Sequence, residues 1–223
     1  MSTVLKLKNI TKEFIEPRKN IVALNNINFD LSDGQCICLL GPSGSGKTTL
    51  LQIAGLLDSP TKGEIIINGK KCDHLSEEDK NFIRKQHIGF VYQNFYLLDS
   101  FSALENVIIP QLINGSGFDN ARKRAKNLLS DLGLSKRLYN KPRELSGGEK
   151  QRVSILRAIA NRPKIILADE PTGNLDKKNS ENVVKIIKDM VNHYNISFIV
   201  ATHNLSIIKK FDKIVKLSEG KII

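Results

Sequence analysis

Residues 39–57 read LLGPSGSGKTTLLQIAGLL, and the fold turns on the eight from Gly41 to Thr48. The order Gly41, Pro42, Ser43, Gly44, Ser45, Gly46, Lys47, Thr48 has the G-x-x-x-x-G-K-[ST] spacing of a phosphate-binding loop. Glycines there let the chain curl until successive N–H groups point inward. A helix beginning near Lys47 adds its positive end to that nest. Lys47 is then placed to reach terminal phosphates, and Thr48 to offer a hydroxyl to Mg²⁺ on the same oxygens. The alternative is a plain Gly/Ser turn. The flanks speak against it: QCICLL reads as a buried strand before the loop, and Leu50, Leu51, Ala54 and Leu57 follow at helical spacing.

Outward from the loop, the chain divides by its periodicity. VLKLKNI near the N-terminus alternates, and Ile27, Phe29 and Leu31 face one way while Asn28 and Asp30 face the other, the pattern of antiparallel strands wet on one side. GEIIINGKK and IGFVY supply further strands, with a turn signal at Asn68-Gly69. From about 100 to 160 the pattern becomes helical: Ala121, Ala125, Leu128, Leu129 and Leu132 recur at helical spacing, with Gly133 near a stop. KIILAD, a helix from about Lys178 to Tyr194, SFIVAT and a DKIVKL–KII hairpin around Glu219-Gly220 complete the chain. Apolar strands alternating with helices predict an α/β protein whose parallel sheet is covered on both faces.

The 223 residues, 40% hydrophobic and 26% charged, suit one large globular unit. No apolar run approaches the ~20 residues of a membrane span, and the first ten residues are too polar for a signal peptide, so a cytoplasmic protein is expected. Cys36, Cys38 and Cys72 lack metal-ligand spacing and read as reduced packing residues. The net charge of +11 could serve nucleic acid or an anionic surface. Abundant Lys, Ile and Asn point instead to an AT-rich coding bias, and no nucleic-acid partner is expected.

Two further stretches carry chemistry. IILADE is an apolar strand ending in two carboxylates: Asp169 can orient a metal shell, and Glu170, pointing the other way, can polarise an attacking water. Taken alone, such a pair is more often mere loop solvation; behind a phosphate loop the functional reading prevails. ELSGGEKQRVSILRAIA opens a helix whose Val153, Leu156, Ile159 and Ala160 form an apolar stripe. Ser146 as N-cap with Glu149 three residues on makes a capping box. The cap does not explain two following glycines, poor helix formers, which would let an anion approach the helix end.

GPSGSGKT, LSGGE, ILADEPTGNLD, the Gln93 of YQNFYLL and the His203 of ATHN stand in the order and rough spacing of ATP-binding-cassette ATPases, and the chain resembles that family over essentially its whole length. The resemblance implies a P-loop NTPase with a RecA-like core, an antiparallel β lobe and an inserted helical lobe. Residues 1–223 would form one ATP-binding domain, with about 1–93 and 161–223 as core plus β lobe and about 94–160 as helical lobe. It implies an ATPase with ATP and Mg²⁺ as cofactors. Gly41 to Thr49, Thr49 included, and Gln93 would hold ATP, with Phe14 in the place of the adenine-stacking aromatic. Glu170 and His203 would be catalytic, and Thr48, Gln93 and Asp169 would attend the metal. Leu145, Ser146, Gly147, Gly148 and Glu149 would meet ATP held by a second copy, with Asp176 in the cross-dimer loop.

HIGFVYQNFYLLDSFSALENVIIPQLI and ADEPTGNLD resemble the subfamily serving lipoprotein release, macrolide export and antimicrobial-peptide resistance. GEIIINGK, SALENV and PTGNLD are nearest to the ATPase of lipoprotein-releasing systems. The implied partners are integral membrane permease subunits and a second copy bound head to tail, at the cytoplasmic face of an inner membrane. A chain ending at SEGKII is expected to carry no fused membrane spans. Macrolide or antimicrobial-peptide export, a regulatory cell-division ATPase, and a soluble chromosome or translation factor are the alternatives. The segment from Asn94 to Asn106, with Phe95, Tyr96, Leu97, Leu98 and Phe101, is the expected permease contact.

Overall fold

The computed structural model describes residues 2–16 and 19–223. In chain order the elements are β1 (Thr3–Glu16), β2 (Lys19–Ser32), β3 (Cys36–Leu40), α1 (Lys47–Ala54), β4 (Lys62–Ile67), β5 (Lys70–Lys71), α2 (Glu77–His87), β6 (Ile88–Tyr92), α3 (Ala103–Ile113), α4 (Phe118–Asp131), α5 (Gly147–Ile159), β7 (Ile165–Asp169), α6 (Lys177–Tyr194), β8 (Ser197–Thr202), β9 (Lys213–Ser218) and β10 (Lys221–Ile222). They form two sheets. An antiparallel sheet has the order β2-β1-β4-β5, and a six-stranded sheet has the order β10-β9-β3-β8-β7-β6, parallel from β9 to β6.

The central sheet is buried on both faces, as its unbroken apolar strands require. Alternate residues go to opposite sides. Cys36, Cys38, Ile166, Ala168, Phe198 and Val200 join the core under α3 to α6. Ile37, Leu39, Ile165, Leu167, Ile199 and Ala201 join a second core with α1 and the antiparallel sheet. The phosphate loop therefore leaves a strand pinned from both sides. All three cysteines are free and buried. Burial pushes the Cys36 and Cys38 thiols up to about 12, which suits packing residues rather than nucleophiles. Among the described residues no helix is long and apolar enough to cross a membrane.

The helical stretch resolves into three helices, α3 to α5. Two begin with complete capping boxes, Ser102 with Glu105 and Ser146 with Glu149. One reading of periodicity fails. Leu57 does not continue the helix after the loop: α1 ends at Ala54, Leu56 takes φ +57, and Leu57 turns out to solvent. The helix α2 shows only a weak apolar stripe, with Ile83 its one buried residue, but its ends are marked by charge. Glu77, Glu78 and Asp79 stand in its first turn and Arg84, Lys85 and His87 in its last, each sign where the helix dipole favours it.

Candidate active site

The loop after β3 closes tightly on itself. Gly46, at φ +102, caps α1 in a conformation that side chains resist, and a Cβ there would lie 2.6 Å from the Ala23 carbonyl oxygen. Lys47 is buried and folds back, its Nζ donating to the carbonyls of Gly41 and Pro42, both at 2.9 Å. The same Nζ lies 3.9 Å from Glu170 Oε1. Ser45 is buried beneath the loop; its carbonyl accepts from Gly220 N–H, so the β9–β10 turn braces it.

Around Lys47 lies a cavity of about 520 Å³ walled by Ser43, Gly44, Gly46, Thr48, Thr49, Gln93, Asp169, Glu170 and His203. Residues up to 160 positions apart in sequence meet there because β3, β6, β7 and β8 run parallel and end on one side. Thr48 Oγ1 donates to Asp169 Oδ2 at 2.8 Å. Burial, partly offset by that bond, raises the Asp169 carboxyl above its ordinary value. The alternation expected of a strand end is broken: Glu170 sits at φ +47, so it does not point away from Asp169 but lines the same cavity. His203 Nδ1 lies 2.9 Å from Glu170 Oε1. An ionised carboxylate only accepts, so Nδ1 carries the proton and Nε2 is the nitrogen left for a ligand.

The model of the family described as ABC transporter matches residues 24–173. The chain belongs to the ABC transporter family. As an ATPase of that family it binds ATP. It is similar to the lipoprotein-releasing system ATP-binding protein LolD 1 of Rhodospirillum rubrum, 47% identical over 219 residues covering 98% of this chain and 97% of that one. It is equally similar to LolD of Rickettsia bellii, 47% identical over 221 residues with the same coverage. Among solved structures, a dimeric post-hydrolysis state of the ATP-binding cassette MJ0796 bound to ADP and Pi matches with a TM-score of 0.90 at 39% identity, covering 98% of this chain and 96% of that one.

In this cassette the LSGGE stretch stands apart from the cavity, and none of Leu145 to Glu149 lines it. Leu145 is buried in the core. Ser146 Oγ accepts from Glu149 N–H at 3.3 Å, and Glu149 accepts from Ser146 N–H at 2.7 Å and from Arg137 Nε at 2.9 Å. The two glycines differ. A Cβ at Gly148 would lie 2.8 Å from Asn179 Oδ1, so packing inside one chain accounts for it; a Cβ at Gly147 would meet nothing nearer than Leu175 at 3.6 Å. Asp176 is exposed and caps α6, accepting from Asn179 N–H at 2.8 Å.

Phe14 does not line the cavity. It faces Ile21 across the β1–β2 ladder, with Lys12 Nζ 5.0 Å from its ring centroid, while Ile21 and Val22 supply the cavity wall. Three residues that sequence reasoning did not assign hold the loop after β6. Asn174 Oδ1 accepts from Gln93 Nε2 at 3.1 Å, and its Nδ2 donates to the Gln93 carbonyl at 3.0 Å. Asn106, fully buried, accepts from Leu98 N–H and donates to the Leu98, Phe101 and Ser102 carbonyls. Arg157 of α5 donates to the carbonyls of Phe95 and Tyr96. An Asn fully inside an apolar helix face was the one available signal, because a buried amide needs local partners. On this loop Tyr96, Leu98 and Phe101 are exposed, while Leu97 packs on the core.

Proposed function

We propose that this cassette is the ATP-hydrolysing subunit of a membrane complex that releases lipoproteins, working as a head-to-tail dimer beneath separate permease subunits. The observation that carries the reading is the 47% identity over 98% of the chain to proteins named for that system. The cassette would lie peripherally on the cytoplasmic face of the inner membrane. We take residues 1–223 as one ATP-binding domain, with 94–160 as its helical lobe; the run of α3, α4 and α5 between Ala103 and Ile159 supports that division.

The geometry supports a division of labour in hydrolysis. Residues 41–49 hold the phosphates through backbone N–H groups and the Lys47 ammonium, which would exchange its loop carbonyls for phosphate oxygens. Glu170 takes a proton from the attacking water as its oxygen bonds to the γ-phosphorus and the bond to the bridging oxygen breaks. His203 Nδ1 fixes the Glu170 carboxylate, and Nε2, the nitrogen left over, would meet the γ-phosphate, donating to it when the ring is doubly protonated. A threonine hydroxyl and a carboxylate already in contact, with Gln93 in the same cavity, are hard oxygen donors that suit Mg²⁺. Thr48, Gln93 and Asp169 would hold that ion, which neutralises phosphate charge when bound. Ser146 and Gly147, exposed at a helix N-terminus, would receive the γ-phosphate of ATP on the partner, with Asp176 beside them. The Phe14 ring would reach adenine only by moving off Lys12, so Ile21 and Val22 are the better-placed apolar contacts.

The test is a lipoprotein release assay in proteoliposomes holding the cassette with its permease. ATP should release lipoprotein with the wild-type chain and not with Glu170→Gln. Hydrolysis stimulated by the permease without any release would sink the lipoprotein reading and favour an exporter or a signalling ATPase. Tyr96→Glu or Leu98→Glu should abolish co-purification with the permease and spare basal hydrolysis. Loss of both together would mean a folding defect and no docking role for this loop.

A further inference from the structure

At the opposite end of β7 from Asp169 lies a second cavity of about 250 Å³ that shares no residue with the first. Its wall brings together Arg124 of α4, Arg162 and Lys164 of the α5–β7 connection, and Tyr194 at the end of α6, with Ile159 and Ile196 as apolar floor. No carboxylate lines it, and among the described residues none of the three cations is within ion-pairing distance of one. Arg124 donates through Nε to the Ala160 carbonyl at 2.8 Å and through Nη2 to the Ile159 carbonyl at 3.4 Å. Two of its five N–H groups are used, and the rest of the fork is left over.

The charge does not balance locally. Two helices end here, α5 and α6, and each C-terminus offers about half a negative charge. Three cations against those two ends leave a surplus of about two positive charges. Burial and then the Arg162 charge lower Arg124, with Tyr194 opposing, and burial and then the Lys164 charge lower the neighbouring His87. The backbone is committed as well, with Arg162 at φ +54 and the Lys164 N–H donating to the His87 carbonyl at 3.1 Å.

We propose that this cavity binds a small phosphate-bearing anion, which the Arg124, Arg162 and Lys164 side chains would clamp between α4 and the start of β7. A dianion offsets the surplus, and the spare guanidinium edge suits phosphate oxygens. The Tyr194 ring and the two isoleucines leave room for a modest organic body. The shared chemistry is the phosphate group; free metabolites and lipid headgroups both carry it, and a cavity of about 250 Å³, open beside the exposed Arg162, Lys164 and Tyr194, has room for a headgroup-sized anion without acyl chains, which commits the proposal to the free form.

The test uses the full chain with Lys47→Ala, which disarms the phosphate loop, and inorganic pyrophosphate as probe in metal-free buffer. Calorimetry should find one site, and the thermal midpoint should rise with pyrophosphate. Adding Arg162→Asn and Lys164→Gln should weaken binding at least about tenfold, the share of one charge-assisted hydrogen bond. Asparagine tolerates the left-handed backbone of position 162, so the unliganded midpoint should hold. If it does not, Lys164→Gln alone should still cost several-fold, and Arg162→Lys should retain binding. Equal binding to both proteins would assign the probe to the phosphate loop and overturn the proposal, as would no binding at all. Sedimentation with phosphatidylglycerol vesicles should be the same for both proteins. A loss confined to the vesicle arm would make the ligand a lipid headgroup and overturn the free-anion reading.

Discussion

The two ends of the proposed catalytic machinery are built on opposite principles. At the phosphate loop, groups from four strands converge: Lys47 is buried with its charge held by two carbonyls and 3.9 Å from Glu170, and Asp169 is raised by burial. Of these groups, Lys47 offers a charge that a bound phosphate would meet, and the buried Asp169 carboxylate one that a cation would meet. At the LSGGE end the Ser146 and Glu149 side chains serve each other, and Arg137 closes the set. That end is a finished helix cap on the surface. The difference teaches that the first region is a site in one chain, whereas the second becomes a site only if another chain brings it a ligand.

The comparison breaks most sharply at Glu170. Glu170→Gln should lower hydrolysis by the ~10²–10⁴-fold that a general base contributes, with ATP affinity near wild type. Single-turnover hydrolysis and equilibrium binding of a fluorescent ATP analogue separate the two. Wild-type turnover would move the catalytic role to another group, His203 being next in reach. Lys47→Ala should weaken binding itself, by roughly 10–150-fold for the loss of a charged hydrogen-bonding partner. Unchanged affinity in the same binding assay would mean the loop backbone alone carries the phosphate.

Much of this arrangement was legible in the chain. Gly41 to Thr48 announced the loop because glycine and lysine at fixed offsets leave few other structures, and the buried strands followed from unbroken apolar runs. The direction of Glu170 was not legible: a strand's period of two sends it away from Asp169, and only the φ of +47 turns it back. The helix α2 was missed because its apolar stripe is thin, although its charge gradient and Ser76 cap are in the sequence. The Arg157 bridge to the Phe95 and Tyr96 carbonyls joins residues some sixty apart, which no local pattern encodes. The basic cavity joins Arg124, Arg162 and Tyr194, from three separate elements that no local pattern links.

Ser146 sharpens the comparison next. Ser146→Ala should cost about 1 kcal/mol of stability as a lost cap, measured by urea unfolding of the single chain. Ser146→Arg should in addition abolish hydrolysis. Mixed with Lys47→Ala, each protein inactive alone, it should regain some activity, because the mixed dimer has one intact composite site. Should strict coupling between sites silence the mixed dimer, concentration dependence remains: wild-type activity per chain should rise with protein concentration as monomers pair. Constant specific activity down to a demonstrably monomeric range would leave Ser146 as a helix cap and nothing more.

The smallest effect concerns Glu149, and it probes whether the cap is complete within one chain. The Ser146 backbone N–H, and then the Arg137 guanidinium, hold the Glu149 carboxyl below its ordinary value of 4.5. A carboxyl depressed on folding lends stability that is fully present above the unfolded value and is lost as pH falls through the folded one. Glu149→Gln keeps an oxygen for the Ser146 N–H but gives up the charge facing Arg137 and the helix N-terminus, a few tenths of a kcal/mol to about 1 for a partly exposed group. Urea unfolding of wild type and Glu149→Gln should therefore differ by a constant amount from pH 7 down to about 5 and converge below 4.5. The curves should stay parallel in protein concentration, since the cap needs no second copy. A difference that grew on acidification would mean that folding raises this carboxyl instead of depressing it, and one that appeared only at concentrations where the chain dimerises would show that Glu149 acts across the interface and not as the local partner of Ser146.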